Sequence, residues 1–292
     1  MRKSEFAVIN IGSNSVKLYI PSDSRFGTRK VISSQLASGA SKDGRLLDAD
    51  AVSRSFDAVR ELQEFARDKA EHIFVYGTEA LRRAENGHVL TERIEGELGL
   101  TTELIDGKKE ALCAVLGARD SFPDKKVFID IGGASAEAAR LYGGGELKSE
   151  SYPIGAVRLT DEGRGDFLAM KAIAERTVGS MEKYRCPVGL GGTFTALASL
   201  SLGLSTYSDA AVHGVVLTRA ELYRLQELLS PLSPEEINET YPVLKKPRAR
   251  VIKAGLAIAL TVAERLDAES ISVSADDGLK GYIALKKSEE KI

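Results

Sequence analysis

A chain of 292 residues, 43% hydrophobic and 28% charged, is long enough for two medium domains, each with its own buried core. Its formal net charge of −2 argues against wholesale nucleic-acid binding, so an anionic ligand would be held locally by backbone amides and a few basic side chains. The longest apolar stretch, Ala254 to Ala263, has about half the length needed to cross a bilayer and reads as a buried helix.

In chain order, the first expected element is an apolar strand through Val8-Ile9-Asn10-Ile11. It passes through Gly12-Ser13-Asn14-Ser15 into a second apolar run, Val16 to Ile20, the pattern of a hairpin. The start of the chain shows no extended apolar region and no small-residue cleavage site, which favours a cytoplasmic protein without membrane contact. A third strand is predicted near residues 29–37. A long amphipathic helix near residues 50–70 follows, with Val52, Phe56, Val59, Leu62 and Phe65 at helical spacing. A fourth strand is predicted over residues 72–76 and, after another helix, a fifth over residues 101–105. The two cysteines, Cys113 and Cys186, suit reduced thiols better than a disulfide framework.

Beyond the turn-like Phe122-Pro123-Asp124, the same order is read again. Phe128-Ile129-Asp130-Ile131-Gly132-Gly133-Ala134-Ser135 echoes Val8-Ile9-Asn10-Ile11-Gly12-Ser13-Asn14-Ser15. A second apolar run (136–142), a third strand (146–152), a helix (166–184), a fourth strand (187–190), a later fifth strand (270–274) and a terminal helix follow. Two copies of one α/β unit are therefore expected, over residues 1–122 and 123–292, with the terminal helix free to pack back on the first. They would face each other across a cleft into which both hairpin loops point.

Small-residue loops suggest what that cleft holds. Gly12, Ser13, Asn14 and Ser15 form one, and Gly132, Gly133, Ala134 and Ser135 a second. Gly191, Gly192 and Thr193, between a strand and a helix, form a third. Backbone amides at such loops and at a helix N-terminus make an anion site without any basic side chain, so phosphate is the expected ligand. The first Gly turn leads into a strand rather than a helix, which disfavours a dinucleotide fold, and no Gly-Lys-Ser/Thr tripeptide marks a Walker A loop. Three scattered histidines give no zinc-like spacing, and His213, in Val212-His213-Gly214, reads as a loop-ordering hydrogen bonder. The run Lys245, Lys246, Arg248, Arg250 and Lys253 could guide a polyanion, although most charge runs are simply solvated.

Taken together, Ile11-Gly12-Ser13-Asn14-Ser15, the run from Thr78 to Asn86, Asp130-Ile131-Gly132-Gly133, Pro153-Ile154-Gly155-Ala156-Val157-Arg158-Leu159-Thr160, Gly189 to Thr195 and Val212-His213-Gly214 resemble the Ppx/GppA phosphohydrolases. The resemblance covers nearly the whole chain and matches the short form of that family. It implies two ribonuclease H-like domains of the actin-like ATPase superfold. It also implies a phosphoanhydride hydrolase of the exopolyphosphatase or guanosine-5'-triphosphate,3'-diphosphate phosphatase type, using Mg2+ or Mn2+. Carried over residue by residue, the catalytic base falls on Glu110, and the acidic positions facing the metal fall on Asp130 and Glu137. Asn10 stands at a third, water-mediated metal position, and Arg82 at a phosphate-neutralising one. A carboxylate in reach of a water can orient and deprotonate it for in-line attack on phosphorus. The implied substrates are polyphosphate or guanosine penta- or tetraphosphate. A homodimer is compatible with the resemblance, although no stripe in the sequence marks an interface.

The sequence also departs from the family pattern. Asn10 replaces the usual Asp, Lys17 an Arg or His, Leu112 an Arg, Ala134 a Gly, and Lys280 an Arg. A methyl at Ala134 would crowd a phosphate if that backbone needed positive φ. These changes motivate an alternative expectation, a catalytically weakened protein that senses polyphosphate or an alarmone. A small-molecule kinase on the same superfold would need an acceptor motif, and none is recognised.

Overall fold

A computed structural model of the chain describes residues 3–38, 45–143 and 146–289. Its first elements are β1 (Ser4–Ile11), β2 (Ser15–Ile20), β3 (Thr28–Ser33), α1 (Ala49–Arg67), β4 (Ala70–Gly77), α2 (Glu79–Arg83), α3 (Gly87–Leu98), β5 (Thr102–Leu104) and α4 (Gly107–Ala118). Then come β6 (Val127–Ile131), β7 (Ala136–Leu141), β8 (Leu147–Tyr152), α5 (Ala156–Gly163), α6 (Phe167–Thr177), β9 (Val188–Leu190) and α7 (Gly191–Ser201). The chain continues through α8 (Asp209–Val212), β10 (Val216–Thr218), α9 (Arg219–Leu229), α10 (Pro234–Thr240), α11 (Lys246–Leu266), β11 (Ser270–Val273) and α12 (Gly278–Glu289).

The described residues divide into two compact units. The first runs to Gly117 and takes back the chain from Gly278, so α12 belongs to it; the second is Ala118–Asp277. Each unit is built on one mixed sheet, β3-β2-β1-β4-β5 in the first and β8-β7-β6-β9-β11 in the second, where β10 adds an edge. With β10 left aside, the strands counted within each unit follow the order third-second-first-fourth-fifth in both sheets. The first three strands of each are antiparallel, and the rest of the shared order is parallel. The internal repeat thus folds as two ribonuclease H-like sheets.

β1 shows why its sequence reads as a continuous apolar run: it is covered on both faces. Ala7, Ile9 and Ile11 pack with Val52, Phe56, Val59 and Leu62 of α1 and with Leu90 and Ile94 of α3. Phe6 and Val8, on the alternate face, pack with Tyr76, Cys113, Leu279, Tyr282 and Ile283. In the second unit, α11 is buried without interruption from Ala254 to Ala263, as its composition predicts. No helix among the described residues is long and apolar enough to cross a membrane.

Several boundaries differ from the sequence expectation for visible reasons. The third strand stops at Ser33, because Gln35 adopts positive φ (51°) and the amides of Gln35 and Ala37 turn to the carbonyls of Asn14 and Ser13. The helix expected to reach residue 184 ends at Thr177. Val178 is extended there, and Tyr184 is engaged elsewhere, its amide donating to Leu266 and its hydroxyl accepting from the Lys126 amide. α5 was not foreseen, since its start is capped by the neighbouring loop rather than by its own sequence.

In the first unit, α12 is fixed by a close helix contact and a polar knot. A Cβ on Gly281 would collide with the carbonyl of Cys113 in α4, so only glycine admits the approach. Glu103, in the middle of β5, accepts from Tyr282 (2.6 Å) and Lys109 (2.5 Å) and pairs with Lys286 (3.3 Å). Burial opposes ionisation of Glu103, but these donors and the positive charges outweigh it and hold the carboxyl down at about 2. Because the folded value lies below the ordinary 4.5, the carboxylate stabilises the fold at neutral pH and that contribution disappears as pH falls through about 2. Melting temperature measured between pH 7 and pH 2 is expected to fall below pH 4.5 in the native chain, and a Glu103→Gln chain is expected to start lower and to lack that component.

Candidate functional site

The two hairpin turns are duplicates at atomic detail. Gly12 donates to the Ser15 carbonyl at 3.1 Å, and Gly132 to the Ser135 carbonyl at 3.0 Å. A Cβ at either glycine would lie 3.1 Å from the same serine oxygen. Behind each loop, the carbonyls are tied to other backbone amides. Ser13 and Asn14 accept from Ala37 and Gln35, while Gly132 accepts from Ala156 and Gly133 from Val157 and Arg158. The amides of Ser13, Asn14, Gly133 and Ala134 have no acceptor among the described residues. Unengaged amides on tight loops of this kind form concavities suited to anions.

The most specific motif, Pro153 to Thr160, now has a structural role. It carries the start of α5, whose first amides cap the second hairpin loop, and a Cβ on Gly155 would strike Gly133 and Ala134. Ala134 is absent from the positive-φ residues, so its methyl does not meet the crowding anticipated from sequence. It is buried against its own unit.

Register settles a question that alternation left open. Asp130 of β6 is directly opposite Glu137 of β7, and directly opposed residues of an antiparallel pair share one face of the sheet. Glu137 is buried, 5% exposed, and accepts from Ser151 at 2.9 Å. The third Gly loop reaches the same place. Gly191 has φ of 80°, and a Cβ there would strike Oδ1 of Asp130. α7 begins at this glycine with no side-chain cap, so its positive end is presented beside Asp130. Thr193 donates its hydroxyl to the Ile131 carbonyl at 3.1 Å, which fastens the third loop to β6 rather than offering that hydroxyl to a ligand.

A further residue joins this cluster that sequence reasoning placed only in a charge run. The guanidinium of Arg248 packs on Gly192, with Cζ 2.9 Å and Nη1 3.2 Å from where a Cβ would stand. It has no ion pair or hydrogen bond among the described residues. Burial pushes its pKa down, opposed only by the Tyr207 phenol. Two others of the run are engaged elsewhere: Arg250 pairs with Asp161 at 2.6 Å, and Lys253 donates to the Leu232 carbonyl at 2.9 Å. One signal could have singled Arg248 out. It lies in the first turn of α11, where a positive charge opposes the helix dipole and is unfavourable unless an anion is near.

Metal-ligating capacity is limited in a telling way. Among the described residues, no group of three or more His, Cys, Asp or Glu could cage a metal. Asp130 and Glu137 nevertheless supply the one or two carboxylates that Mg2+ typically takes, the remaining positions going to water and substrate oxygens. The donor set therefore fits an open divalent site.

The first unit contributes a second cluster. Glu110 lies in the first turn of α4, which Asp106 opens by accepting from the Lys109 amide at 2.8 Å. Its carboxylate is 3.2 Å from Nη1 of Arg82. Arg82 also donates to the Ile105 carbonyl and lies 3.6 Å from Glu79, which Arg83 approaches at 3.2 Å. The residues expected to serve as base and phosphate clamp are thus paired with each other. Arg83 is exposed and pairs with Glu79 at the surface. In the second unit, His213 accepts from the Ala275 amide at 3.2 Å and its ring lies tilted against Phe122 at 5.3 Å, the loop-ordering role expected of it.

The model of the Ppx/GppA phosphatase family matches residues 28–285. A guanosine-5'-triphosphate,3'-diphosphate pyrophosphatase of Photobacterium profundum is 27% identical over 95% of this chain and 58% of its own length, so the chain spans little more than half of that relative. Exopolyphosphatase 2 of Mycobacterium tuberculosis is 27% identical over 96% of this chain and 98% of its own. The solved structure of the Aquifex aeolicus Ppx/GppA family member superposes with a TM-score of 0.78 at 27% identity, covering 99% of both chains. The fold is that of the actin-like ATPase superfold in two domains, and the chain belongs to the Ppx/GppA phosphatase family.

Proposed function

We propose that the protein releases the terminal phosphate of inorganic polyphosphate, of guanosine pentaphosphate, or of both, by attack of water on a phosphoanhydride. The observation that carries this reading is the meeting, in one unit, of two facing carboxylates, a loop of unengaged amides, an uncapped helix start and an unpaired arginine. That combination holds a phosphate together with a divalent cation. The names of the relatives, a pentaphosphate pyrophosphatase and an exopolyphosphatase, both describe attack on a phosphoanhydride.

In this reading Asp130 and Glu137 hold Mg2+ or Mn2+, which when bound neutralises charge on the terminal phosphoryl oxygens. The amides of Gly133 and Ala134, the start of α7 at Gly191 and Gly192, and Arg248 bind the remaining oxygens. Glu110 orients the attacking water and accepts its proton. Arg82 positions the Glu110 carboxylate until a phosphate oxygen competes for its guanidinium, which links substrate arrival to release of the base. A cytoplasmic location suits the two free thiols, Cys113 and Cys186.

Phosphate release from long-chain polyphosphate and from guanosine pentaphosphate, assayed with Mg2+ or Mn2+, tests the assignment. Glu110→Gln is expected to lower kcat by about 10²–10⁴-fold, the usual worth of a positioned base. Undiminished turnover would remove Glu110 from that role. Arg248→Ala is expected to lower kcat/KM by about 10–100-fold, in line with loss of one charge-assisted contact to the transferring group. Retention of full kcat/KM would return Arg248 to the solvated charge run.

A further inference from the structure

Glu79 is a carboxylate that the proposed chemistry leaves without a task. It opens α2, and its side chain is only 8% exposed. Carboxylates buried to that degree are rarely kept unless they are paired. Two guanidinium groups of its own helix pair with it: Arg82 at i+3, 3.6 Å away, and Arg83 at i+4, 3.2 Å away. A helix of five residues is too short to hold such a face by itself, and packing fixes it instead. Leu81 is buried between Gly77 and Gly87, where an added Cβ would strike its side chain or its carbonyl.

The guanidinium of Arg82 is engaged on both sides. Nη2 faces Oε2 of Glu79, whereas Nη1 lies 3.2 Å from Oε1 of Glu110 and also donates to the Ile105 carbonyl. Two carboxylates from different elements, α2 and α4, thus share one cation. The planar fork of arginine allows this, and the point charge of a lysine would not repeat it. The two contacts are not equivalent. The one with Glu110 has hydrogen-bond length, while the one with Glu79 is an ion pair, and Glu79 accepts its own hydrogen bond from Arg83.

We propose that Glu79 is a positioning residue for the phosphohydrolase reaction: it retains the Arg82 guanidinium beside the start of α4 when a phosphate oxygen displaces Glu110 from Nη1. Arg83 steadies Glu79 from the exposed side. Without this second anchor, the Ile105 carbonyl alone would restrain Arg82 once Glu110 is released, and the fork would lose its orientation at the moment the reaction needs it. The proposal rests on the reading in which Glu110 is the base and Arg82 meets the phosphate. It involves only groups of the first unit.

Nitrogen-15 relaxation of the Arg82 Nε–H in the full chain reads this restraint without substrate, the signal being assigned by its loss in Arg82→Lys. In Glu110→Gln, where the competing carboxylate is gone, the guanidinium is expected to stay ordered. Adding Glu79→Gln is expected to drop its order parameter below about 0.6, the flexible range. Disorder already present in Glu110→Gln, or order kept in the double variant, would overturn the anchor. Turnover of polyphosphate with Mg2+ is the second readout. Glu79→Gln is expected to lower kcat about tenfold, and Arg83→Gln, a change at an exposed side chain, about threefold. In an Arg82→Lys background both losses should shrink to less than about twofold, because groups that act through one partner are not additive. Equal losses in the two backgrounds would reduce Glu79 to a structural residue. Thermal melts control for folding, and Arg83→Gln carries the test if Glu79→Gln is unstable. Undiminished turnover in Glu110→Gln, with the Glu79 loss intact, would remove the base and leave Glu79 acting on Arg82. No phosphate release by the unsubstituted chain would remove the hydrolase reading and the positioning role with it.

Discussion

Facing carboxylates on one side of an antiparallel ladder repel each other when both are ionised, and the second unit sets two carboxyl groups opposite each other. Asp130 and Glu137 are set opposite by the pairing of β6 with β7. At a separation of about 5 Å, two unit charges repel by roughly 3 kcal/mol even at an effective dielectric constant of about 20. Like charges so placed are destabilising unless something compensates. The structure supplies part of the answer in the hydroxyl of Ser151 on Glu137 and the positive end of α7 beside Asp130. It can come so near only because Gly191 has no side chain. In the proposed function a divalent cation would supply the rest.

The same backbone in the first unit carries no such burden, because its pair is Asn10 and Lys17. Duplication gave one scaffold twice, and substitution at two register positions separated the electrostatics of the copies. The first unit places its acidic groups elsewhere. Glu110 and Glu79 are held around Arg82, while Glu103 locks α12 onto the end of the sheet through Tyr282 and Lys286. Lys109, which binds Glu103, directly precedes Glu110, so the knot that secures α12 also fixes the turn that presents the proposed base.

Strong local signals made much of this legible from sequence. The apolar runs of β1 and β6, the helical spacing of α1 and the paired Ile-Gly turns were enough to reveal the repeat and its sheet order. Elements defined by tertiary partners were not legible. α5 depends on amides that cap a loop more than twenty residues upstream, and β3 stops early because Gln35 and Ala37 turn back onto the first hairpin. In the site, residue types could be named but not their relations. The shared face of Asp130 and Glu137 needed the register, which a loop of small residues does not specify. The pairing of Arg82 with Glu110 joins positions 28 apart. Arg248 was hidden in a run of basic residues, of which Arg250 and Lys253 turn out to have other attachments.

The account stands or falls on the acid pair as a cation site. Binding of Mn2+ to the full chain, without substrate, can be followed by electron paramagnetic resonance for the native protein, Asp130→Asn, Glu137→Gln and the double variant. If both carboxylates hold one ion, each single change should remove most of the binding, and the double variant should lose little more, a non-additivity expected of groups sharing one partner. Native-like Mn2+ binding in the double variant would contradict the account and send the search for the cation site elsewhere in the chain.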